Sequence, residues 1–95
     1  MLETRLENNS NEYAFGMLNE VANLLRKNEN LELAIVYYRK ALLSVKQRYK
    51  NEYLKQISTS KILINIATVQ YLLENFPEAI KYYKHSLDSL GKVRH

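Results

Sequence analysis

The sequence predicts an all-α protein of about four main helices, arranged as antiparallel pairs. Three observations predict this fold class. Gly and Pro contribute only two and one of the 95 residues, whereas an all-β domain needs frequent turns that such residues usually mark. The interior is rich in Leu, Ala, Lys, Glu, Tyr and Ile, most of which are adequate helix formers. Apolar residues also recur every three to four positions, which is the period of one helix face.

The composition excludes several classes of protein. The chain has no Cys, which rules out a disulfide framework, a thiol nucleophile and a cysteine-ligated metal site. Its apolar runs are far shorter than the ~20 residues that span a bilayer, and residues 1–12 lack the pattern of a signal peptide. A hydrophobic fraction of 46% is too high for a disordered chain. We therefore expect an intracellular protein, with the cytoplasm as the first choice.

An internal repeat is the strongest signal in the chain. Shifting the sequence against itself by 45 residues gives ten identical pairs in the segment from Leu18 to Val45. The pairs are Leu18/Leu63, Ala22/Ala67, Glu29/Glu74, Asn30/Asn75, Ala34/Ala79, Ile35/Ile80, Tyr37/Tyr82, Tyr38/Tyr83, Leu42/Leu87 and Ser44/Ser89. We therefore predict that one two-helix unit is built twice.

The first unit has two apolar stripes separated by a break. The first stripe consists of Leu18, Val21, Ala22 and Leu25, at the spacing of one helix face. Asn28-Glu29-Asn30 interrupts the pattern. The second stripe consists of Leu31, Ala34, Ile35, Tyr38, Ala41, Leu42 and Val45. This order predicts two helices joined by a short turn.

The second unit repeats this plan. Its first stripe consists of Leu63, Ile66, Ala67 and Val69, and its second of Ala79, Ile80, Tyr83, Leu87 and Leu90. Glu74 and Asn75 form the predicted turn, and Pro77 lies in a first turn, where proline is tolerated. Gly91 is a predicted helix stop. Between the units we predict a turn near residues 49–53, with Ser58-Thr59-Ser60 as the alternative.

Small and bulky residues are placed in a way that predicts close helix packing. The small residues are Ala22, Ala34 and Ala41 in the first unit and Ala67 and Ala79 in the second. They let helix axes approach, while Tyr38 and Tyr83 fill the space between neighbouring helices. These residues resemble the tetratricopeptide repeat, whose second helix carries Ala, an aromatic residue and Ala. The resemblance covers about residues 11–91 and implies helix pairs stacked as an α-solenoid.

The sequence departs from the family pattern in three ways. The family period is 34 residues, so an offset of 45 leaves 11 extra (45 minus 34), close to three helical turns. We expect them to lengthen the second helix of the first unit and the first helix of the second. Gln70 stands where the family usually has an aromatic residue. The closing proline is missing from both units. Longer repeats of this kind resemble those of kinesin-light-chain-like proteins.

The repeat divides the chain into four segments. Residues 1–10 are a tail or the end of a preceding helix. Two repeats follow at about 11–50 and 52–91, and residues 92–95 are a second tail. A solenoid needs about three repeats and a polar cap, and this sequence offers two. Either it is an excerpt of a larger repeat protein, or it completes its core by pairing with itself or with a partner. The last helix would present Ile80, Tyr83, Leu87 and Leu90 for that contact.

The resemblance also implies a concave groove lined by the first helix of each pair. The expected lining residues are Asn19, Asn23 and Arg26 in the first unit and Lys61, Ile64, Asn65, Thr68, Tyr71 and Leu72 in the second. The first helix of the second unit is apolar on almost its whole circumference, which is typical of a helix covered on every side. Our hypothesis is that Ile64, Tyr71 and Leu72 form an apolar floor for a partner helix or peptide. The alternative is that an adjacent repeat covers them.

Other binding functions stay open as alternatives. The net charge is +4, and the middle of the chain is basic through Arg39, Lys40, Lys46, Arg48, Lys50, Lys55 and Lys61, with Tyr49 and Tyr53 between them. Such a segment suits nucleic acid or an acidic polymer surface, although a solvated helix face explains it better. One family variant clamps acidic C-terminal peptides, and Asn23 and Asn65 fall near its asparagines, but Asn19 replaces its lysine. A further alternative is a helical bundle similar to microtubule-interacting-and-trafficking domains. Those domains have three helices, and the 45-residue repeat argues against this alternative.

Catalysis has almost no support in the sequence. His85 and Asp88 lie three residues apart on a predicted helix. One His and one carboxylate make neither a metal site nor a nucleophilic triad, and no Gly-rich phosphate loop is present. We therefore expect a non-enzymatic scaffold or adaptor that binds protein partners and uses no cofactor.

Overall fold

The structure, a computed structural model, describes the backbone of residues 2–48 and 50–93 and the side chains of residues 14–47 and 50–91. It has four helices: α1 (Leu2–Lys27), α2 (Leu31–Arg48), α3 (Glu52–Leu72) and α4 (Phe76–Val93). No strand occurs among these described residues, so the predicted all-α fold class with four helices is confirmed. Each helix packs against the next one along the chain, and the other pairs of described helices share little or no contact.

The turn between α1 and α2 is held by backbone hydrogen bonds. The Asn30 N–H donates to the Leu25 carbonyl at 2.8 Å, and the Glu29 N–H donates to the Arg26 carbonyl at 3.0 Å. This pair of bonds is the Schellman motif, which ends a helix at a residue in the left-handed region. The Asn30 carbonyl then accepts from the Ala34 N–H at 3.0 Å. One asparagine therefore closes α1 and opens α2.

The turn between α3 and α4 repeats these bonds 45 residues later. The Asn75 N–H donates to the Gln70 carbonyl at 2.8 Å, and the Glu74 N–H donates to the Tyr71 carbonyl at 2.9 Å. Glu29 and Glu74 have backbone φ angles of 63° and 64°. A positive φ is uncommon in residues other than glycine. The two helix pairs are thus built on the same local backbone plan.

The helix α3 begins at an asparagine cap. Asn51 has extended backbone, with φ −77° and ψ 115°, and its Oδ1 accepts a hydrogen bond from the Leu54 N–H at 3.0 Å. This start lies within the predicted turn at residues 49–53, of which Tyr49 lies outside the described residues. The alternative turn at residues 58–60 is wrong, because these residues lie inside α3 and the buried Ser60 hydroxyl lies 2.6 Å from Ser86 Oγ.

Both ends of the described chain are helical. Residues 2–10, predicted as a tail or as the end of a preceding helix, are the first part of α1. The stop predicted at Gly91 is wrong, because α4 continues to Val93 and Gly91 lacks the positive φ of a glycine that ends a helix. Met1 and residues 94–95, which belong to the predicted tails, lie outside the described residues.

The main core lies between α1, α2 and α3. It is a cluster of buried apolar side chains: Ala22, Ala34, Ile35, Tyr38, Ala41, Val45, Ile62, Ile66 and Val69. Leu63 and Ala67 of α3 and Ala79 of α4 are also buried, and α3 and α4 share the most extensive contact between two helices of the described chain. Ser86 of α4, the counterpart of Ala41, is also buried there. The two pairs therefore share two alanine positions, Ala22/Ala67 and Ala34/Ala79, and differ at the third.

Candidate partner-binding surface

The structure places the nine predicted lining residues on α1 and α3, and we call this set the groove surface. Its members are Asn19, Asn23 and Arg26 of α1 and Lys61, Ile64, Asn65, Thr68, Tyr71 and Leu72 of α3. The two helices are linked at this surface by a hydrogen bond, because Asn65 Nδ2 donates to Asn19 Oδ1 at 3.0 Å. Both asparagines are partly buried, so this amide pair forms part of the floor between α1 and α3.

Two further polar residues of the groove surface bind tyrosine hydroxyls from the second helices. Asn23 Oδ1 accepts a hydrogen bond from the Tyr38 hydroxyl, while Asn23 Nδ2 donates to Glu20 Oε1 at 3.3 Å. The Thr68 hydroxyl donates to the Ile64 carbonyl at 2.9 Å, and the Tyr83 hydroxyl lies 3.3 Å from Thr68 Oγ1. These tyrosine contacts are related by the 45-residue offset, so the repeat extends to side-chain chemistry.

The Tyr38 hydroxyl has a perturbed acidity. Burial raises the pKa of Tyr38 above its ordinary value of 10.0, because a buried phenolate loses its hydration. The positive charge of Arg26 opposes this rise in pKa, and the negative charge of Glu20 adds to it. Tyr38 therefore stays protonated and acts as a hydrogen-bond donor to Asn23 over the whole neutral range.

An apolar patch lies beside the polar floor of the groove surface. Ile64, Tyr71 and Leu72 are all exposed, with Tyr71 at 58% of its full area and Leu72 at 50%. The Tyr71 ring makes an edge contact with the Phe76 ring at a centroid distance of 5.6 Å, which orients it. Lys61 is exposed at the other end of the groove surface. The surface thus offers apolar area, amide groups and positive charge within two helices.

The predicted packing residues do not all occupy equivalent surroundings. Five alanines are buried: Ala22, Ala34, Ala41, Ala67 and Ala79. Tyr38 is 0% exposed, but its repeat counterpart Tyr83 is 39% exposed. The difference arises because α3 packs against α2 and covers Tyr38, whereas α4 has no such neighbour among the described residues.

The exposed side of α4 carries a continuous apolar row that we call the α4 stripe. It consists of Phe76, Ile80, Tyr83, Leu87 and Leu90, all of them exposed. Four of these residues were expected from the sequence, and Phe76 was missed. The spacing of four, three, four and three residues places all five on one helix face. A stripe of this kind is the seam by which helices associate.

A second exposed apolar row lies on α1, and we call it the α1 stripe. It consists of Met17, Val21 and Leu24, with Met17 at 64% and Leu24 at 62% exposure. Met17 and Leu24 were missed in the sequence, and Val21 was predicted on the packed face, which is wrong because Val21 is exposed. An apolar hollow of about 490 Å³ lies here, lined by Val21, Leu24, Leu25, Lys27 and Asn28. The 45-residue offset is the sequence signal that identifies this row as a packing surface. Its three positions correspond to three buried residues of α3: Ile62, Ile66 and Val69.

Several cations of the basic middle segment are engaged within the chain. The Lys40 ammonium lies 4.9 Å from the centroid of the Tyr37 ring. Lys55 Nζ pairs with Glu52 Oε2 at 3.2 Å. The side chain of Arg48 lies outside the described residues. The segment thus extends from α2 through the connection at Lys50 into α3.

A cleft of about 420 Å³ with a mixed polar and apolar lining lies between α2, α3 and α4. Its lining includes Lys46, Lys55, His85 and Asp88, so the two residues weighed for catalysis share this cleft. The His85 ring makes an edge contact with the Tyr82 ring at a centroid distance of 6.3 Å. Among the described residues, no group of three or more His, Cys, Asp or Glu side chains is placed to hold a metal ion. Within the same part of the chain, no helix combines the length and the apolarity that crossing a membrane requires.

Comparison with known proteins identifies the architecture. A family model described as the tetratricopeptide repeat matches residues 13–92. The comparisons with curated proteins and with solved structures gave no match. The matched segment contains both Schellman turns, α2 and α3 in full, and most of α1 and α4. Repeats of this family generally mediate protein–protein interactions. The chain therefore belongs to the tetratricopeptide-repeat family.

Proposed function

We propose that the chain is a non-catalytic, intracellular scaffold or adaptor that captures a partner helix or an extended peptide on its groove surface. The two repeats, at about residues 11–50 and 52–91, act together, since each contributes one helix to this surface. The observation that carries the proposal is the apolar patch of Ile64, Tyr71 and Leu72, which is exposed beside a hydrogen-bonded polar floor.

The chemistry of the groove surface suits an amphipathic segment. The apolar patch would take up two or three apolar anchors from one face of the partner. Asn65 and Asn19 use one donor and one acceptor for each other, so Asn65 Oδ1 and Asn19 Nδ2 remain for the partner's polar groups. Lys61 and Arg26 favour a partner that carries carboxylates near its anchors.

A displayed peptide library provides the test. Peptides selected on the wild-type chain are re-measured on the double variant Tyr71→Ser and Leu72→Ser. We expect binding to fall at least tenfold, because the anchors lose their apolar contact. The matched control is Val36→Ser with Leu43→Ser, which removes two exposed apolar side chains from the outer face of α2 and should leave binding intact. Circular dichroism verifies that each variant stays helical.

Two outcomes contradict the proposal. Selected peptides that bind the groove variant and the wild type equally would show that the patch is not the anchor site. A selection that yields no specific peptide would show that the groove surface is not a peptide-binding surface.

A second candidate function is association through the α4 stripe, with another copy or within a larger assembly. Its support is the exposure of five large apolar side chains on a single helix face. An exposed apolar row of this length marks an interaction surface. This candidate uses α4, whereas the groove surface belongs to α1 and α3. The two surfaces adjoin, because Phe76 and Tyr83 of the stripe contact Tyr71 and Thr68 of the groove surface.

A further inference from the structure

The α4 stripe has a counterpart inside the core. Subtracting 45 from its residue numbers gives Leu31, Ile35, Tyr38, Leu42 and Val45 of α2. Ile35, Tyr38 and Val45 belong to the buried cluster, and Leu31 and Leu42 pack against it. The same cluster holds Ile62, Ile66 and Val69 of α3, the helix that packs against α2 from the second repeat. The same helix face is therefore a buried interface in the first repeat and an exposed surface in the second.

The α1 stripe has a counterpart on the other side of that same interface. Adding 45 to Met17, Val21 and Leu24 gives the α3 residues Ile62, Ile66 and Val69. All three are buried in the cluster that holds Ile35 and Tyr38 of α2. The structure thus contains one packed junction, between α2 and α3. Within the described residues, the two halves of an equivalent junction are exposed on α4 and α1.

We propose that the α4 stripe of one copy packs against the α1 stripe of a second copy, head to tail, and so repeats the α2–α3 junction. This inference rests on the second candidate function, that the α4 stripe is a protein-binding surface, and names its occupant. Continuity with an existing interface favours this occupant, because both halves carry residues at positions that already pack together within the chain.

The hollow on α1 gives the junction a specific anchor. Because α2 and α3 run antiparallel, the start of α2 lies near the end of α3. In the equivalent junction Phe76, the counterpart of Leu31, meets the end of α1, where Val21, Leu24 and Leu25 line the hollow. The second copy would also cover Tyr83, which then becomes as buried as Tyr38.

Head-to-tail packing has a recognisable consequence for assembly. The two surfaces are different, so each added copy still presents one free α1 stripe and one free α4 stripe. Such a heterologous contact grows into an open array unless its rotation closes a ring. The mass of the wild-type chain should therefore rise with concentration beyond that of a dimer, starting from a monomer of 11.2 kDa.

The test uses two blocked variants of the full chain. The α1-blocked variant carries Met17→Glu and Leu24→Glu, and the α4-blocked variant carries Ile80→Glu and Leu87→Glu. These side chains are among the most exposed apolar ones in their stripes, so the fold should survive, and circular dichroism checks this. If a glutamate variant unfolds, the same positions are changed to Gln. Light scattering and sedimentation velocity measure mass against concentration.

The expected result is complementation. Each blocked variant alone stays at 11.2 kDa, since it lacks one half of the junction. An equimolar mixture forms a species of twice that mass, because the α1-blocked copy retains its α4 stripe and the α4-blocked copy retains its α1 stripe. The control, Val36→Glu with Leu43→Glu, should assemble as the wild type does.

Other outcomes overturn the inference in distinguishable ways. If the α1-blocked variant dimerises alone while the α4-blocked variant does not, the α4 stripe pairs with itself. The second candidate function then survives and head-to-tail packing is wrong. A wild-type chain that stays monomeric at every concentration would refute head-to-tail packing and self-association through the α4 stripe, and would leave only its association with a different protein. Neither result tests peptide capture on the groove surface, which the displayed peptide library measures separately.

Discussion

The Tyr38 hydroxyl of α2 donates a hydrogen bond to Asn23 Oδ1 of α1. The Tyr38 side chain is 0% exposed, so this hydroxyl has lost its water partners and depends on the asparagine. A buried polar group without a partner is costly. The bond therefore fixes how α1 packs on α2 near the polar floor of the groove surface.

Removing the acceptor should cost more than removing the donor. Asn23→Leu leaves a buried hydroxyl unpaired, and we expect the free energy of unfolding to fall by about 1–3 kcal/mol. Tyr38→Phe removes the hydroxyl itself and should cost about 1 kcal/mol. Urea unfolding measures both. Thr68→Val is the matched control: its tyrosine, Tyr83, is part-exposed and can bond to water, so the loss should be smaller. Equal losses for Asn23→Leu and Thr68→Val would contradict this account.

The raised pKa of Tyr38 predicts a loss of stability at high pH. Below the ordinary pKa of 10.0, tyrosine is protonated in both the folded and the unfolded chain, and the stabilisation is complete. Above that value the unfolded chain loses the proton while the folded chain keeps it. The free energy of unfolding therefore falls as pH rises, until the pH passes the folded-state pKa.

Comparison with Tyr38→Phe isolates this effect from other groups that titrate at high pH. Unfolding is measured for both proteins at several pH values between about 9 and 11.5, a range set around the ordinary tyrosine pKa. The wild type should lose more stability than the variant. Parallel curves would show that Tyr38 titrates alike in the folded and unfolded states.

The serine pair between α3 and α4 predicts an asymmetry between two similar substitutions. Ser86 Oγ donates to the Ser60 carbonyl at 3.1 Å, so its contact with Ser60 Oγ at 2.6 Å makes the Ser60 hydroxyl the donor. Ser86→Ala leaves that buried donor unpaired and should cost about 1–3 kcal/mol. Ser60→Ala leaves only a spare acceptor and should cost less. The double variant should be closer to Ser60→Ala than to Ser86→Ala. If thermal unfolding shows that the stability loss of the double variant equals the sum of the two single losses, the Ser60 hydroxyl is not the donor.

The left-handed turn residues predict a stabilising substitution. The left-handed conformation destabilises a non-glycine residue by roughly 1–2 kcal/mol. Glycine has no comparable steric cost but loses more conformational entropy on folding. We expect Glu29→Gly and Glu74→Gly each to raise stability by about 0.5 kcal/mol. Glu32→Gly, in the first turn of α2, makes the same chemical change in ordinary helix and should destabilise by about 0.5–1 kcal/mol. A lowered melting temperature for both turn variants would refute the prediction.

The 45-residue offset made most of the fold predictable. It fixed the four helices and the two turns, since identical residues at Glu29/Glu74 and Asn30/Asn75 form identical backbone bonds. Local propensity failed where tertiary contacts decided. Residues 58–60 have the composition of a turn, but they are helical in α3. Ser60 is buried there against Ser86 of α4, and this tertiary contact favours the helix. Gly91 was expected to end α4, because glycine often occupies the left-handed position after a helix. The helix continues through it to Val93, so the presence of a glycine does not by itself produce that conformation.

The candidate site was less predictable than the fold. Sequence equivalence gives Tyr38 and Tyr83 the same role, yet their exposure differs, because α3 packs against α2 while no described helix besides α3 packs against α4. The bond between Asn19 and Asn65 joins residues 46 apart, one step off the repeat offset. Such a pair depends on how far two helices are staggered, which a one-dimensional pattern does not contain.

The contact between α2 and α3 is less extensive than the contacts within the two pairs. Each pair is closed by its own Schellman turn, and the main core spans the junction between the pairs. The side-chain hydrogen bond from Asn65 to Asn19, at 3.0 Å, joins α3 directly to α1 across the pairs. A partner that separated α1 from α3 would therefore have to break this hydrogen bond, whereas a partner that lay over it would not.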